Sequence, residues 1–235
     1  MPKKGFNLRW ELLREIAEDL RYLLERGYHK EASINFLANR WQLSALEREV
    51  LKRGVFSQLE AQLRLSKKKD PAYLKNKILY IDGFNVLTTI RSALAGLPVF
   101  MCDDGFIRDL GKLTPKFTPN EVSEKAILLL LRKLKQLRPK RVEIYLDKPL
   151  SRSGELAAKL REFFEKEGIL GEVILTSSAD KALIGVSLLA SSDAALLDRA
   201  EAAFDLAASI LEEEGYRWPY LSSYYFSEFE DRKIK

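Results

Sequence analysis

Along the first 65 residues, apolar side chains recur every three or four positions, the spacing that gives a helix one buried stripe. Trp10, Leu13, Ile16, Leu20 and Leu23 or Leu24 mark a first helix over 9–24, with Gly27 as its stop. Ile34, Leu37 and Trp41 place a second over 30–40. Ser44-Ala-Leu-Glu47 has the Ser-x-x-Glu form of a capping box and opens a third helix, closed by Gly54. A fourth is expected over 55–65. Arg40, Arg48, Lys52, Arg53 and Arg64 fall on outward faces in this reading, and short helices on tight turns suggest a helix-turn-helix bundle. A plain helical docking domain explains the same apolar positions equally well. Ser66-Lys-Lys-Lys-Asp-Pro71 then reads as a hinge or exposed linker.

Beyond the hinge the pattern changes to short apolar runs alternating with amphipathic stretches. Strands are expected at 78–82, 98–102, 141–146, 172–176 and 186–190. Helices are expected at 85–95, from the capping box Thr118-Pro-Asn-Glu121 to Leu137, at 153–166, shortly after Asp180, and at 194–213. Repeated strand–helix–strand units predict an α/β fold, a mostly parallel sheet with helices on both faces, preceded by a small all-α domain. The boundaries read as a basic helical domain over 1–70, a linker over 71–77, the α/β domain over 78–215 and an aromatic tail over 216–235. The tail rings (Tyr216, Trp218, Tyr220, Tyr224, Tyr225, Phe226, Phe229) can stack on bases. Docking onto their own domain or a second subunit is the favoured reading, which leaves a homodimer open.

The chemistry lies where strands end. Ile78-Leu-Tyr-Ile-Asp82 runs into Gly83 and then Asn85, so a carboxylate and an amide stand at the C-terminal edge of a strand, where open α/β sheets place their ligand crevice. Three later apolar runs also lead into acids, Asp147, Asp180 and Asp193. If the strands are parallel, four carboxylates converge on one rim and repel unless protons or cations compensate. Oxygen ligands with concentrated negative charge suit Mg²⁺ or Mn²⁺. Singly, each acid can equally be a helix cap or half of an ion pair. Asp193 is the clearest N-cap, and Lys148 and Lys181 stand ready to neutralise Asp147 and Asp180.

Composition narrows the alternatives. An apolar content of 46% and a charged content of 31% in 235 residues fit a globular protein with a solvated surface. No apolar run reaches the ~18 residues of a membrane span, so no membrane partner is expected. Cys102 is the single cysteine, which predicts a reducing, cytoplasmic setting. His29 is the single histidine, so neither zinc-finger ligation nor a histidine-activated nucleophile is supported. Phosphate-loop and dinucleotide fingerprints are absent. Residues 1–77 hold 17 Lys and Arg against 10 Asp and Glu, and the rest hold 22 against 24. A basic half beside a slightly acidic one fits a module that grips a polyanion, though lysine-rich solvated helices give the same count.

Asp82-Gly-Phe-Asn85, Ser178-Ala-Asp180 and Ala190-Ser-Ser-Asp193, in this order and each after a strand, resemble the PIN-like fold and specifically its NYN-type nuclease branch. The resemblance covers roughly residues 78–213. It implies that Asp82, Asn85, Asp180 and Asp193 surround a divalent metal, and Asp147 is similar to an acid that some members carry after a middle strand. Asp104, in a longer and more acidic stretch than the fold needs, is a further candidate for the metal shell or for holding a covering loop. Glu124 sits where many members place another acid. The chain as a whole, including Leu20-Arg-Tyr-Leu-Leu-Glu-Arg-Gly-Tyr28 and Leu51-Lys-Arg-Gly-Val-Phe-Ser57, also resembles an uncharacterised, largely archaeal family that fuses a helical domain to this fold. The expectation is a Mg²⁺- or Mn²⁺-dependent nuclease acting on RNA, with DNA as second candidate. Basic residues of the helical domain and Lys133, Lys135, Arg138, Lys140 and Arg141 would hold the backbone. The rival expectations are a non-catalytic nucleic-acid- or protein-binding module, and a DNA-binding regulator reading through residues 28–54.

Overall fold

A computed structural model describes residues 7–110, 120–148 and 152–222. Four helices come first: α1 (Trp10–Glu25), α2 (Lys30–Arg40), α3 (Ala45–Gly54) and α4 (Gln58–Lys67). A 3₁₀ turn (Pro71–Leu74) leads to β1 (Ile78–Asp82), α5 (Gly83–Leu94), β2 (Val99–Met101) and β3 (Ile107–Asp109). Then come α6 (Glu121–Leu137), β4 (Arg141–Asp147), α7 (Ser153–Glu167), β5 (Gly171–Thr176) and α8 (Ala179–Ala182). The series closes with β6 (Leu189–Ala190), α9 (Ala194–Arg199) and α10 (Leu206–Glu213). In space the chain divides into a helical unit (Met1–Leu65, Pro98–Leu110, Arg217–Lys235) and a sheet unit (Ser66–Leu97, Gly111–Tyr216).

The helical unit is therefore built from three separated pieces of sequence. The capping box at Ser44 forms in both directions: the Ser44 hydroxyl accepts from the Glu47 amide, and Glu47 accepts from the Ser44 amide. Leu13, Ile16, Leu20, Leu37, Val50 and Leu51 are buried. So are Phe100, Phe106 and Ile107 of an antiparallel β2–β3 pair, so the unit is not all-α as expected. Gly54 explains part of the seating. A Cβ there would run into the Leu221 side chain and lie 2.8 Å from Phe100, so the glycine lets the hairpin and the segment after Arg217 pack close without a shift of either side chain. Those first tail residues dock within this unit, with Trp218 and Leu221 buried and the Met101 amide donating to the Pro219 carbonyl. The aromatic positions from Tyr224 onward lie outside the described residues.

Buried charge ties the pieces together. Arg21 holds Asp103 through two bonds of 2.8 Å, and Arg108 holds both oxygens of fully buried Asp104 at 2.8 and 2.7 Å. Arg64 approaches Asp104 to 3.6 Å. Lys30, Arg64 and Arg108 all lie over the Phe56 ring, 4.0, 4.3 and 5.2 Å from its centre. Burial lowers the Lys30 ammonium to about 8, with Arg64 and Arg108 adding to the shift against Glu60. Arg64, expected on the surface, is 3% exposed, whereas Leu59 and Leu63 of the same helix face outward. A fully buried carboxylate needs close cations, and that need turns α4 over. The membership of each unit also removes the charge asymmetry read from the linear sequence, because the hairpin acids join the helical unit and Lys67–Lys77 fall in the sheet unit. Counted by unit, the helical one has 17 Lys and Arg against 15 Asp and Glu, and the sheet unit 22 against 19.

The sheet unit is α/β with a four-stranded parallel sheet in the order β5-β4-β1-β6. Along β4, Val142, Ile144 and Leu146 are buried while Arg141, Glu143, Tyr145 and Asp147 are half-buried, so this strand is fully covered on one face only. α5 packs on α6 and α10, and α7 on β4 and β5. Gly83 permits the close fit of α5: a Cβ there would meet Leu146 at 2.6 Å and Ile144 at 2.8 Å. Two expectations fail here. The segment read as a hinge is fastened to the sheet edge, where Lys68 pairs with Ala203, the Lys69 amide donates to Ala203, and Lys67 Nζ donates to the Leu197 and Asp198 carbonyls. The helix expected over 194–213 breaks between α9 and α10. Ala203 takes strand-like bonds, and buried Asp205 caps α10 through the Ala208 amide. Among the described residues no helix is long and apolar enough to cross a membrane.

Candidate active site

Parallel strands carry their C-terminal ends to one rim. The strand order reverses beside β1: the chain moves outward from β1 to β4 and β5, then returns to place β6 on the other side of β1. The crevice of such a sheet lies outside the carboxyl ends at that reversal. Asp82 closes β1 there and is 6% exposed. One of its oxygens accepts from the Asn85 amide at 3.2 Å, capping α5, and the other from the Ser191 hydroxyl at 3.0 Å. Asp193 follows β6, is exposed, and caps α9 through the Ala195 and Leu196 amides at 2.9 and 3.1 Å. Asp147 closes β4 and accepts from the Ala179 amide at 2.8 Å, fixing the start of α8. Asp180 sits in the first turn of α8 and is exposed.

The charges of these acids are coupled. Burial, aided by Asp180 and Asp193, pushes the Asp82 carboxyl up to about 7 despite the two hydrogen bonds that favour its ionised form. Asp180, though exposed as a residue, is raised as well, first by the partial desolvation of its carboxyl and then by Asp193 and Asp147. Among the described residues none of the four pairs with a lysine or arginine; Lys148 and Lys181 neutralise neither neighbour. The rim is thus an uncompensated patch of negative charge, deepest at Asp82. Among the described residues no three acidic, histidine or cysteine side chains are gathered closely enough to form a ready-made metal site.

Two candidates lie elsewhere. Asp104, expected as a possible metal ligand, belongs to the helical unit, where Arg108 takes both of its oxygens. Glu124 is on the exposed side of α6, paired with Lys159 at 3.0 Å. Of the basic residues expected to hold a nucleic-acid backbone, Lys133 pairs with Glu213, Lys135 with Glu167, and Arg141 with Glu143 and Glu172. Two contributors were not anticipated, Ser191 and Ser192. Ser191 bridges Asp82 and the Asp193 amide, and Ser192 donates to the Asn85 carboxamide oxygen through both its amide (2.9 Å) and its hydroxyl (3.1 Å). The polar pair directly after a buried strand, Leu189-Ala-Ser-Ser-Asp193, was the available signal.

The chain belongs to the family described as Domain of unknown function (DUF5616), which it matches over residues 71–209. Residues 12–67 match a second family, Protein of unknown function (DUF434). A relative from Methanocaldococcus jannaschii, Uncharacterized protein MJ0935, is 38% identical over 202 residues, covering 85% of this chain and 97% of the relative. No solved structure matches.

Proposed function

We propose that the sheet unit is a metal-dependent phosphodiesterase of PIN-like, NYN-type character, acting on RNA in the cytoplasm. The observation that carries this reading is the uncompensated charge at the rim: a buried carboxyl held at about 7 beside two further acids, with no cationic side chain among the described residues paired to any of them. The donor set is entirely oxygen, which fits a hard divalent cation. Asp82, Asp180 and Asp193 would hold Mg²⁺ or Mn²⁺, with Asp147 completing the set; Asp104 is not part of it. A bound ion would supply a hydroxide near neutral pH and offset charge on the phosphoryl oxygens, which suits a chain whose single histidine lies in the helical unit. Ser191 keeps Asp82 oriented, and Asp147 sets the position of the turn that carries Asp180.

One observation favours a second reading. Asp82 and Asp193 cap helices and Asp147 anchors the α8 turn, so three of the acids have structural employment without any metal. A non-catalytic nucleic-acid- or protein-binding module would keep them for that purpose. The decisive experiment is cleavage of single-stranded RNA with Mn²⁺ by the wild type and by the double variant Asp82→Asn/Asp180→Asn. Loss of cleavage in the variant supports the assignment, and cleavage that persists refutes it. RNA binding that ignores EDTA, in a protein that takes up no Mn²⁺ by calorimetry, establishes the second reading instead.

A further inference from the structure

Asn85 has a fixed orientation that decides what it can do at the rim. Its Oδ1 accepts from two donors of one residue, the Ser192 backbone amide at 2.9 Å and the Ser192 hydroxyl at 3.1 Å. A backbone N–H can only donate, so it cannot face the NH₂ end of the carboxamide, and the two ends of Asn85 are not interchangeable here. Ser192 is 6% exposed and follows β6, while the Asn85 amide is tied to Asp82 at the end of β1. The carboxamide therefore spans the crevice between these two strands, with its oxygen committed on the β6 side. Among the described residues Nδ2 has no protein acceptor, and the side chain is half-exposed.

We infer that Asn85 meets its ligand as a hydrogen-bond donor to an anionic oxygen and not as a metal ligand through its own oxygen, with Ser192 as the positioning residue that enforces this polarity. The inference rests on the phosphodiesterase reading only for the identity of the anion, a phosphoryl oxygen of RNA. In a rim of four acids, a neutral group that presents N–H bonds is what lets a phosphate approach without displacing the carboxylates from a cation. An asparagine bound through oxygen would instead have to give up both Ser192 bonds.

The experiment has a metal arm, a kinetic arm and an NMR arm. Mn²⁺ is titrated by calorimetry into the wild type, Asn85→Ala and Asp180→Asn, and RNA cleavage is followed for Asn85→Ala, Ser192→Ala and Ser192→Thr. The expected result is a Mn²⁺ affinity for Asn85→Ala within about threefold of wild type, with kcat/KM lowered on the order of tenfold or more, the size of one hydrogen bond to a charged group. Ser192→Ala falls between, because the backbone donor survives, and Ser192→Thr recovers. A loss of Mn²⁺ affinity in Asn85→Ala as large as in Asp180→Asn overturns the inference. A wild type that takes up no Mn²⁺ and cuts no RNA defeats the phosphodiesterase reading instead, and the NMR arm then decides the inference by itself. A through-bond coupling from the Ser192 amide nitrogen to the Asn85 carboxamide carbon is expected, as is a shift of the Asn85 NH₂ protons on titration with uridine 5′-monophosphate, with or without Mg²⁺. Absence of the coupling, or NH₂ protons that do not move at any concentration of the nucleotide, overturns it.

Discussion

Replacing Asp82 with asparagine should stabilise the metal-free protein at pH 8 and do little at pH 4. The carboxyl sits at about 7 against an ordinary value of 3.8, first because it is buried and then because Asp180 and Asp193 repel its charge. A carboxyl raised in this way binds its proton more tightly in the folded than in the unfolded chain. The contribution of this one group to folding stability is then highest below pH 3.8, falls as pH climbs from there to about 7, and stays at its lowest above. At about 1.4 kcal/mol per pH unit the full penalty is about 4 kcal/mol, an upper bound for a group whose surroundings can relax. Asparagine removes the charge and keeps an acceptor for the Asn85 amide, but it weakens the bond from Ser191, at a cost of about 1 kcal/mol. The net gain at pH 8 is about 2–3 kcal/mol, or roughly 5–10 °C in Tm for a chain of this size. Thermal melts in EDTA at pH 4, 6 and 8 read it directly. Added Mg²⁺ should raise the wild-type Tm and not that of the variant. A difference that is the same at all three pH values, or a variant less stable at pH 8, would refute the argument that Asp82 carries an uncompensated charge.

Asp104→Asn breaks a fully buried pair with Arg108 and should cost about 3–5 kcal/mol in urea unfolding while leaving RNA cleavage per folded molecule unchanged; lost activity in a folded variant would restore Asp104 to the site. Glu47, held down to about 2 chiefly by Arg9, contributes stability that is present above pH 4.5 and lost as pH falls through about 2. Glu47→Gln should therefore destabilise by about 1 kcal/mol at pH 7 and by much less near pH 2, read by chemical denaturation. Gly83→Ala drives a methyl group to 2.6 Å from Leu146 and 3.0 Å from the Tyr145 carbonyl, so a loss of about 1–3 kcal/mol is expected, with a Tm within a degree of wild type as the contrary result.

What could be read in advance depended on whether the cause was local. The capping box at Ser44, the N-cap at Asp193 and the strands ending at Asp82 and Asp147 follow from residues a few positions apart, and they stand where the pattern put them. The rim itself was legible because parallel strands deliver their ends to one side, whatever the loops do. Long-range charge was not legible. Nothing in Gln58-Leu-Glu-Ala-Gln-Leu-Arg64 announces that Arg64 turns inward toward a carboxylate 40 positions later, leaving Leu59 and Leu63 outside. Likewise Ser66–Pro71 has the composition of a hinge, and only Ala203, far along the chain, makes it a sheet edge. Asp205 was passed over because the alanine-rich run around it reads as continuous helix, although its own side chain starts α10.

The helical unit is completed by residues from the middle and the end of the chain, and this governs how the protein can be made and cut. A fragment ending at residue 70 would lack the hairpin acids, stranding Arg21 and Arg64 without the carboxylates that meet them. During synthesis the first four helices must wait, incompletely packed, until the segment around Asp104 emerges from the ribosome, and for the stretch around Leu221 more than a hundred residues longer. A biochemist dissecting this protein should therefore move or excise Pro98–Leu110 together with the N-terminal helices, because a border drawn between consecutive residue numbers severs the unit.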